Sequence, residues 1–463
     1  LNFLVANNKG ALFGALTIYA VFLLVRLVFE EKKSTWIALF SAFALSVLPW
    51  HLHFSHGAWE ANVFVTLLLF ALYFFIKFIK QNYHLWPSIV LATLTFFVYQ
   101  GAKMLTPLVF LSVMIIYWKV FITRLVSVIS TKKLDLYVTV LCAVIAASLF
   151  VANLIGPAGN RLQRLNILSY KPQVTQQVKE IDDYNPLSLA LFHHQIDLPV
   201  KLIFSRYLHH FSPELLFYAG SLEAKREHLP DQGLLYVIDF IWLSAGLYYL
   251  LNKKKSKATN LVLTLLLVSP LPASLTLSEA SPVRAIFMVV PLSILIGAGL
   301  YQLYQKKWLF TPLTAAYLLV VVLGLDMYFN HSAKELAQEF NFGYQQAIEI
   351  INDHPDSKVV FTDVKGQPYI YYLFYTKYPP SKYQTQDNFI QGGVDVGRVA
   401  RIDKISFQQF GLSEIERFKN TIFIGNTGNI PDDFNKDQDF VELYKEITLP
   451  DSSDVIFRII KTK

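Results

Sequence analysis

A chain of 463 residues that is 54% hydrophobic, 15% aromatic and only 16% charged, with a mean hydropathy of +0.38, is too apolar for an ordinary soluble protein. Its formal charge of +7 would suit a nucleic-acid partner, but the basic residues are scattered over several short connectors, and nucleic acid is excluded as the partner they serve. The single cysteine, Cys142, lies inside an apolar run, which excludes an intrachain disulfide.

A bilayer core about 30 Å thick needs roughly 20 consecutive, mostly apolar residues per helical span. About ten such runs follow one another: 10–29, 35–54, 61–79, 85–99, 104–122, 136–155, 234–251, 261–277, 284–304 and 308–329. Every second connector is basic: EEKKS (30–34), KFIKQN (77–82), WKVFITR with TKK (within 118–133), NKKKSK (252–257) and QKK (305–307). An excess of Lys and Arg marks cytoplasmic loops. The remaining segments then face outward: LPWHLHFSHGAWEAN (48–62), the YQGAKM turn (99–104), the long loop 156–233, LSEASPVR (277–284) and everything after Asn330. The start, LNFLVANNKG, falls on the same side and shows no cleavable signal.

Within the long loop, NPLSLALFHHQIDLPVKLIFSRYLHHFSPELLFYAG (185–220) mixes apolar and polar residues with proline and aromatic breaks, a pattern that predicts interfacial helices on the outer leaflet. From His331 the composition becomes that of a soluble domain. SAKELAQEFNFGYQQAIEIINDH (332–354) has amphipathic helical spacing, SKVVFTDV (357–364) and NTIFIGN (420–426) read as buried strands, and DVIFRIIKTK (454–463) as a final strand. The expected fold is a polytopic α-helical membrane protein with a small C-terminal extracytoplasmic α/β domain. The predicted boundaries are 1–330 for the transmembrane domain, with 156–233 as its large outer loop, and 331–463 for the outward domain, which has no Gly-rich phosphate loop.

The outward turns concentrate polar groups at the ends of the runs: His51, His53, His56, Glu60 and Asn62; Tyr99, Gln100 and Lys103; Ser278, Glu279 and Arg284. Ionisable groups are costly in lipid, so at these boundaries they either build a site or simply reach the headgroups. A metal reading of the histidines has one point in its favour, since His56 and Glu60 are four apart and would share a helix face. HLHFSH is nevertheless not HExxH and fits no zinc spacing, so neither a metal nor another cofactor is expected. No G-x-S-x-G elbow and no Walker loop occur. An outward cavity lined by Lys103 and Arg284 would suit a phosphate-bearing lipid whose tail stays in the bilayer, because cations offset phosphate charge and arginine does so bidentately.

GALFGALTIYAVFLL (10–24), LPWHLHFSHGAWEANV, YQGAKMLTPL, HHFSPELLFYAG, QGLLYVIDFIWLSAGLYYL and SPLPASLTLSEASPVRAIFMVVPL, in this order and topology, carry a resemblance. The chain resembles a bacterial membrane glycosyltransferase of the GT-C superfamily, in particular the protein mannosyltransferase and aminoarabinose transferase group of glycosyltransferase family 39. The resemblance covers nearly the whole chain. It departs from the family at His56, where relatives usually carry Arg, and at Lys103, where they usually read "sAR".

The resemblance implies a cell-membrane enzyme that moves a hexose or pentose from a polyprenyl-phosphate donor to a hydroxyl of a protein, lipid or glycan on the outer face. It also implies one further span and outer loop ahead of Leu1, carrying the family's catalytic acidic residue. On this reading Glu60 is the visible carboxylate that positions sugar or acceptor. Lys103, Arg284 and His56 hold the donor phosphate, and His53, Asn62, Tyr99, Glu279 and Glu214 line the sugar or acceptor cavity. Two other functions stay open: a lipid or sugar transporter, which should show Gly/Pro-broken spans in pairs, and a non-catalytic membrane scaffold with an outward binding domain. The sequence names neither sugar nor acceptor.

Overall fold

Long apolar runs separated by short polar connectors favour helix, because a helix satisfies every backbone amide within its own segment. The computed structural model describes residues 2–29, 34–155, 197–252, 256–276, 278–364, 366–386, 389–390, 397–432 and 440–463. It is mostly helical with a small sheet region, and it divides into two units, Leu1–Tyr328 and Phe329–Lys463.

The first unit contains α1 (Asn2–Val28), α2 (Ser34–Val47), α3 (Pro49–His56), α4 (Glu60–Gln81), α5 (Trp86–Val98), α6 (Ala102–Ile116), α7 (Trp118–Thr131) and α8 (Lys133–Ile155). After the undescribed part of the long loop come α9 (Asp197–His209), a π-helical turn (Glu214–Tyr218), α10 (Asp239–Leu251), α11 (Lys257–Val268), α12 (Leu271–Ser274), α13 (Val289–Tyr304) and α14 (Lys307–Asp326). Among the described residues, five helices are long and apolar enough to cross a membrane, or seven if each of two bent pairs is one span.

Breaks in the apolar runs account for part of the difference from the roughly ten expected, and α5 and α10, at 13 residues each, are apolar but fall short of span length. The first bend, 62° between α2 and α3, falls where Leu48 turns extended ahead of Pro49. A second, 95°, separates α6 from α7 at Tyr117. The run 261–277 stops being a long helix at Val268, with Pro270 and Pro272 close behind. Residues 185–196 of the predicted interfacial segment lie outside the described residues; the rest forms α9 and the π turn.

Helix α13 is buried along nearly its whole length and packs against both α2 and α10. Two glycines set the closest approach: a Cβ on Gly246 would lie 1.9 Å from the Leu295 carbonyl oxygen, and one on Gly299 would lie 1.9 Å from that of Trp242. Backbone therefore meets backbone, as small residues permit where helices pack in an apolar medium. Hydrogen bonds fasten α1 to α4, with Thr17 and Thr66 hydroxyls 2.6 Å apart and Asn62 Nδ2 donating to the Gly10 carbonyl at 3.0 Å. At the C-terminal end of α4, Lys80 Nζ reaches the Leu27 and Val28 carbonyls at 3.0 and 3.1 Å, and Arg124 Nε reaches that of Ile79 at 3.0 Å. Cations on carbonyls at helix ends complement the negative pole of the dipole.

In the second unit the predicted helix over 332–354 is divided. It gives α15 (Ser332–Glu335) and α16 (Tyr344–Asp353), because Asn341 and Gly343 take left-handed φ values of 59° and 95° between them. Strands β1 (Lys358–Phe361), β4 (Arg401–Ile402), β5 (Ile405–Phe407), β6 (Thr421–Gly425), β7 (Val441–Thr448) and β8 (Val455–Thr462) form one sheet in the order β4-β5-β1-β6-β8-β7, while β2 (Phe389–Ile390) and β3 (Arg398–Val399) pair as a separate antiparallel ribbon. Strand β1 is parallel to β5 and β6, while β8 runs antiparallel to β6 and β7. One face of the sheet packs Val359, Phe361 and Ile459 against Ile348 and Ile351 of α16, and the other packs Phe423 and Ile460 against Phe410 and Ile415. Every residue of β6 is buried, which suits the near-continuous apolar sequence TIFIG.

Candidate functional site

The three histidines of the stretch 48–62 occupy three environments. His51 is buried, with Nε2 3.3 Å from the Ser55 hydroxyl. Buried His53 has Nε2 2.8 Å from the Arg226 carbonyl and its ring against Phe54 and Trp59, so α3 anchors the segment around Arg226. His56 is exposed, its Nδ1 3.0 Å from the Leu52 carbonyl and its ring centroid 5.2 Å from that of Tyr328. Among the described residues no three His, Cys, Asp or Glu side chains gather into a group that could hold a metal. Glu60 is exposed in the first turn of α4, where a carboxylate also favours the positive end of the helix.

Tyr99, in the turn between α5 and α6, is the point at which separate segments meet. Its hydroxyl donates to the Val283 carbonyl at 3.2 Å and its ring lies 5.2 Å from that of Phe64. Burial pushes the phenol well above its ordinary pKa, Arg284 opposes that shift, and Glu227 and Glu60 add to it. The phenol thus stays protonated as a donor. Groups from residues 60, 227 and 284 all act on this one side chain. Lys103 is buried in the first turn of α6, four residues further on.

Glu227 ties into the same neighbourhood through the 281–283 segment. Its Oε2 accepts the Ser281 hydroxyl at 3.1 Å and the Val283 N–H at 2.9 Å. Burial raises its carboxyl above the usual carboxylate range, against the lowering effect of those two bonds and of the Arg284 and Arg226 charges. Arg284 Nη1 donates to the Ser278 hydroxyl at 2.8 Å and to that of Thr276 at 3.3 Å, while Arg206 Nη1 donates to the Thr276 carbonyl at 2.6 Å. Further ties join the same segments: Ser221 Oγ to the Ala280 carbonyl at 3.0 Å and the Glu279 N–H to Glu223 Oε2 at 3.0 Å. The exposed Glu279 carboxylate lies 3.9 Å from His209 Nδ1.

Of the residues singled out by sequence, Tyr99, Arg284 and Glu60 fall in one electrostatic neighbourhood, and Glu279 lies on the adjoining turn. His53 and Asn62 are bonded to backbone carbonyls of distant segments. Glu214 is exposed at the head of the π turn. Glu227 and Arg206 were not predicted. A usable signal was present in EAKREH (223–228), a charge-dense stretch between apolar segments, but only tertiary contacts show that Glu227 turns inward.

No protein-family model matches the chain. No curated protein matches it either. Among solved structures the chain is similar to the crystal structure of the Archaeoglobus fulgidus oligosaccharyltransferase in the apo form, at 13% sequence identity and a TM-score of 0.36. The match covers 77% of this chain and 51% of that one, so the chain spans about half the length of the protein it matches.

Proposed function

We propose that this chain is a polytopic membrane glycosyltransferase of the GT-C type, similar to family 39, which takes a sugar from a polyprenyl-phosphate donor and passes it to a hydroxyl on the outer face. The observation that carries this reading is the bond from the Tyr99 hydroxyl to the Val283 carbonyl, on a residue whose N–H is held by Glu227 and which precedes Arg284; Glu60 also acts electrostatically on the phenol. Helix α4 adds a sense of direction. Glu60 opens it and Lys80 nearly closes it, and its 22 residues at 1.5 Å each span about 33 Å, close to the thickness of a bilayer core. The Lys/Arg-rich connectors belong to the Lys80 end, so the positive-inside rule turns the Glu60 end outward.

In the reaction the acceptor hydroxyl oxygen attacks the anomeric carbon, and the bond from that carbon to the phosphate oxygen breaks with inversion. The hydroxyl proton passes to a carboxylate base, Glu60 positions sugar or acceptor, and the polyprenyl phosphate departs as the anion. Arg284 and Lys103 offset the charge that grows on the leaving phosphate, with His56 at the margin. Glu279, Glu214, His53, Asn62 and Tyr99 belong to the surrounding wall. Glu227 is a positioning residue: it fixes the Val283 amide, and with it the carbonyl that receives Tyr99 and the backbone that carries Arg284.

The test is transfer from defined polyprenyl-phosphate sugars by the protein in lipid nanodiscs, read by mass spectrometry. Arg284→Ala and Lys103→Ala should each lower turnover by about 10²-fold, the scale of losing one charge-stabilising group. Glu60→Gln should lower it as well, and unchanged turnover in all three variants would sink the assignment. A second reading, a lipid or sugar transporter, draws on the two bent helix pairs, since broken spans build transporter sites. It predicts movement of labelled lipid across proteoliposomes without any glycosylated product.

A further inference from the structure

We propose that the Phe329–Lys463 unit carries a binding site of its own, for a neutral saccharide, in the cleft at the C-terminal edge of its parallel strands. The topology indicates where to look. From β1 the chain passes to β5 on one side and then crosses to β6 on the other, which makes the carboxyl ends of these strands a topological switch point. Ligands of open α/β sheets bind at such points. A cleft of about 560 Å³ lies there, within the roughly 300–1,000 Å³ typical of small-molecule sites. It is lined by the segments that leave all three strands: Val364 after β1, Gln409 and Phe410 after β5, and Asn426, Gly428 and Asn429 after β6.

Its walls are fastened from within. Asn429 is buried, with Nδ2 donating to the Phe410 carbonyl at 2.9 Å and Oδ1 accepting the Asn426 N–H at 3.3 Å. Asn426 Oδ1 accepts the Gly428 and Asn429 N–H groups at 2.9 and 3.0 Å, and Glu414 Oε2 accepts the Gly411 N–H at 3.1 Å. This leaves the Asn426 amide nitrogen, the exposed Gln409 amide and the second Glu414 oxygen to meet a ligand.

That inventory defines the ligand class. Amides supply donor and acceptor side by side, a carboxylate adds an acceptor, and adjacent hydroxyls on a ring answer both. Exposed Val364 gives an apolar surface for the C–H face of the same ring, and buried Phe410 contributes only an edge to the lining. Among the described residues no Lys or Arg lines the cleft, and the Glu414 carboxylate there favours a neutral ligand over an anionic one. The proposal does not depend on the transferase reading, whose residues lie in the first unit.

The test is saturation-transfer NMR on the whole chain in nanodiscs. The neutral probes are methyl α-mannoside, N-acetylglucosamine and maltotriose, and the anionic ones are glucose 1-phosphate and inorganic phosphate. Each is used at about 10 mM, which detects a Kd in the millimolar range. Transfer to the pyranose C–H protons of at least one neutral probe is expected. Its affinity should fall at least tenfold in Gln409→Trp, which fills the cleft from an exposed position. It should fall similarly in Asn426→Asp, which keeps the oxygen that fastens the turn and removes the free donor. Silence from all neutral probes, tighter binding of the anionic ones, or undiminished affinity in both variants with unchanged circular dichroism would overturn it.

Discussion

The α2/α10/α13 core and the junction between 206–228 and 276–284 hold together by opposite means. In the core, helices touch through Gly246 and Gly299, and apolar side chains fill the remainder. At the junction nearly every tie is a side chain reaching backbone or hydroxyl: Glu227 to Val283, Arg206 to Thr276, Ser221 to Ala280, Arg284 to Ser278. Close packing tolerates no added atom, whereas a hydrogen-bonded junction tolerates substitution wherever the acceptor or donor survives. The first region supplies rigidity and the second supplies placement.

That contrast can be broken most forcefully at Gly299. Gly299→Val puts a branched side chain where even a Cβ lies 1.9 Å from the Trp242 carbonyl oxygen, so α10 and α13 must separate. A loss of about 3 kcal/mol or more is expected, seen as collapse of the thermal unfolding midpoint in detergent.

Next in size is an acid effect at the junction. His210 is buried, donates Nδ1–H to the Arg206 carbonyl at 2.7 Å, and has its pKa lowered to about 4 from an ordinary 6.5, chiefly by burial. The folded value lies below the unfolded one, so the stabilising contribution of the neutral ring is whole above pH 6.5 and is lost as pH falls through about 4. The loss amounts to at most about 3 kcal/mol. Unfolding midpoints between pH 7 and 4 should flatten in His210→Phe; an equally steep profile in that variant would remove His210 from the account.

Smaller again, Glu227→Ala leaves the buried Val283 N–H and Ser281 hydroxyl without their acceptor and should cost about 1–3 kcal/mol, while Glu227→Gln keeps an acceptor and should stay within about 1 kcal/mol. Since the Glu227 carboxyl titrates above its ordinary range, its contribution is present at pH below 4.5 and is lost as pH rises through the folded value. Glu227→Gln should abolish that component of the stability profile. At the bottom of the series, Glu279→Ala disturbs an exposed pair 3.9 Å long and should change stability by less than about 0.5 kcal/mol. An effect as large as that of Glu227→Ala would erase the distinction between buried and exposed ties.

How far the chain could be read in advance follows from the same contrast. Helix depends on runs of apolar residues, which are local, and Pro49 announces the first bend. Tyr117 carries no comparable breaker, and the Asn341–Gly343 interruption of the amphipathic helix is visible only as a glycine that many helices would absorb. Tyr99 and Arg284 stand out in sequence because polar residues in short turns are few. His53 and Asn62 are bonded to carbonyls from other segments, partners that a sequence, which shows a polar side chain alone, cannot display. Glu227 was hidden for the converse reason: a charged residue in a long loop is ordinarily solvated, and only the fold turns this one inward.

The position of β8 has a consequence for how damage spreads. Among the described residues β7 reaches the sheet through β8, which stands between it and β6. Whether the two strands dock as a hairpin or β8 docks first, a lesion in β8 releases both, while one in β7 releases a single strand. Sensitivity to proteolysis along 441–462 should therefore be lopsided, with Val455–Thr462 controlling the protection of a neighbour that precedes it in the chain.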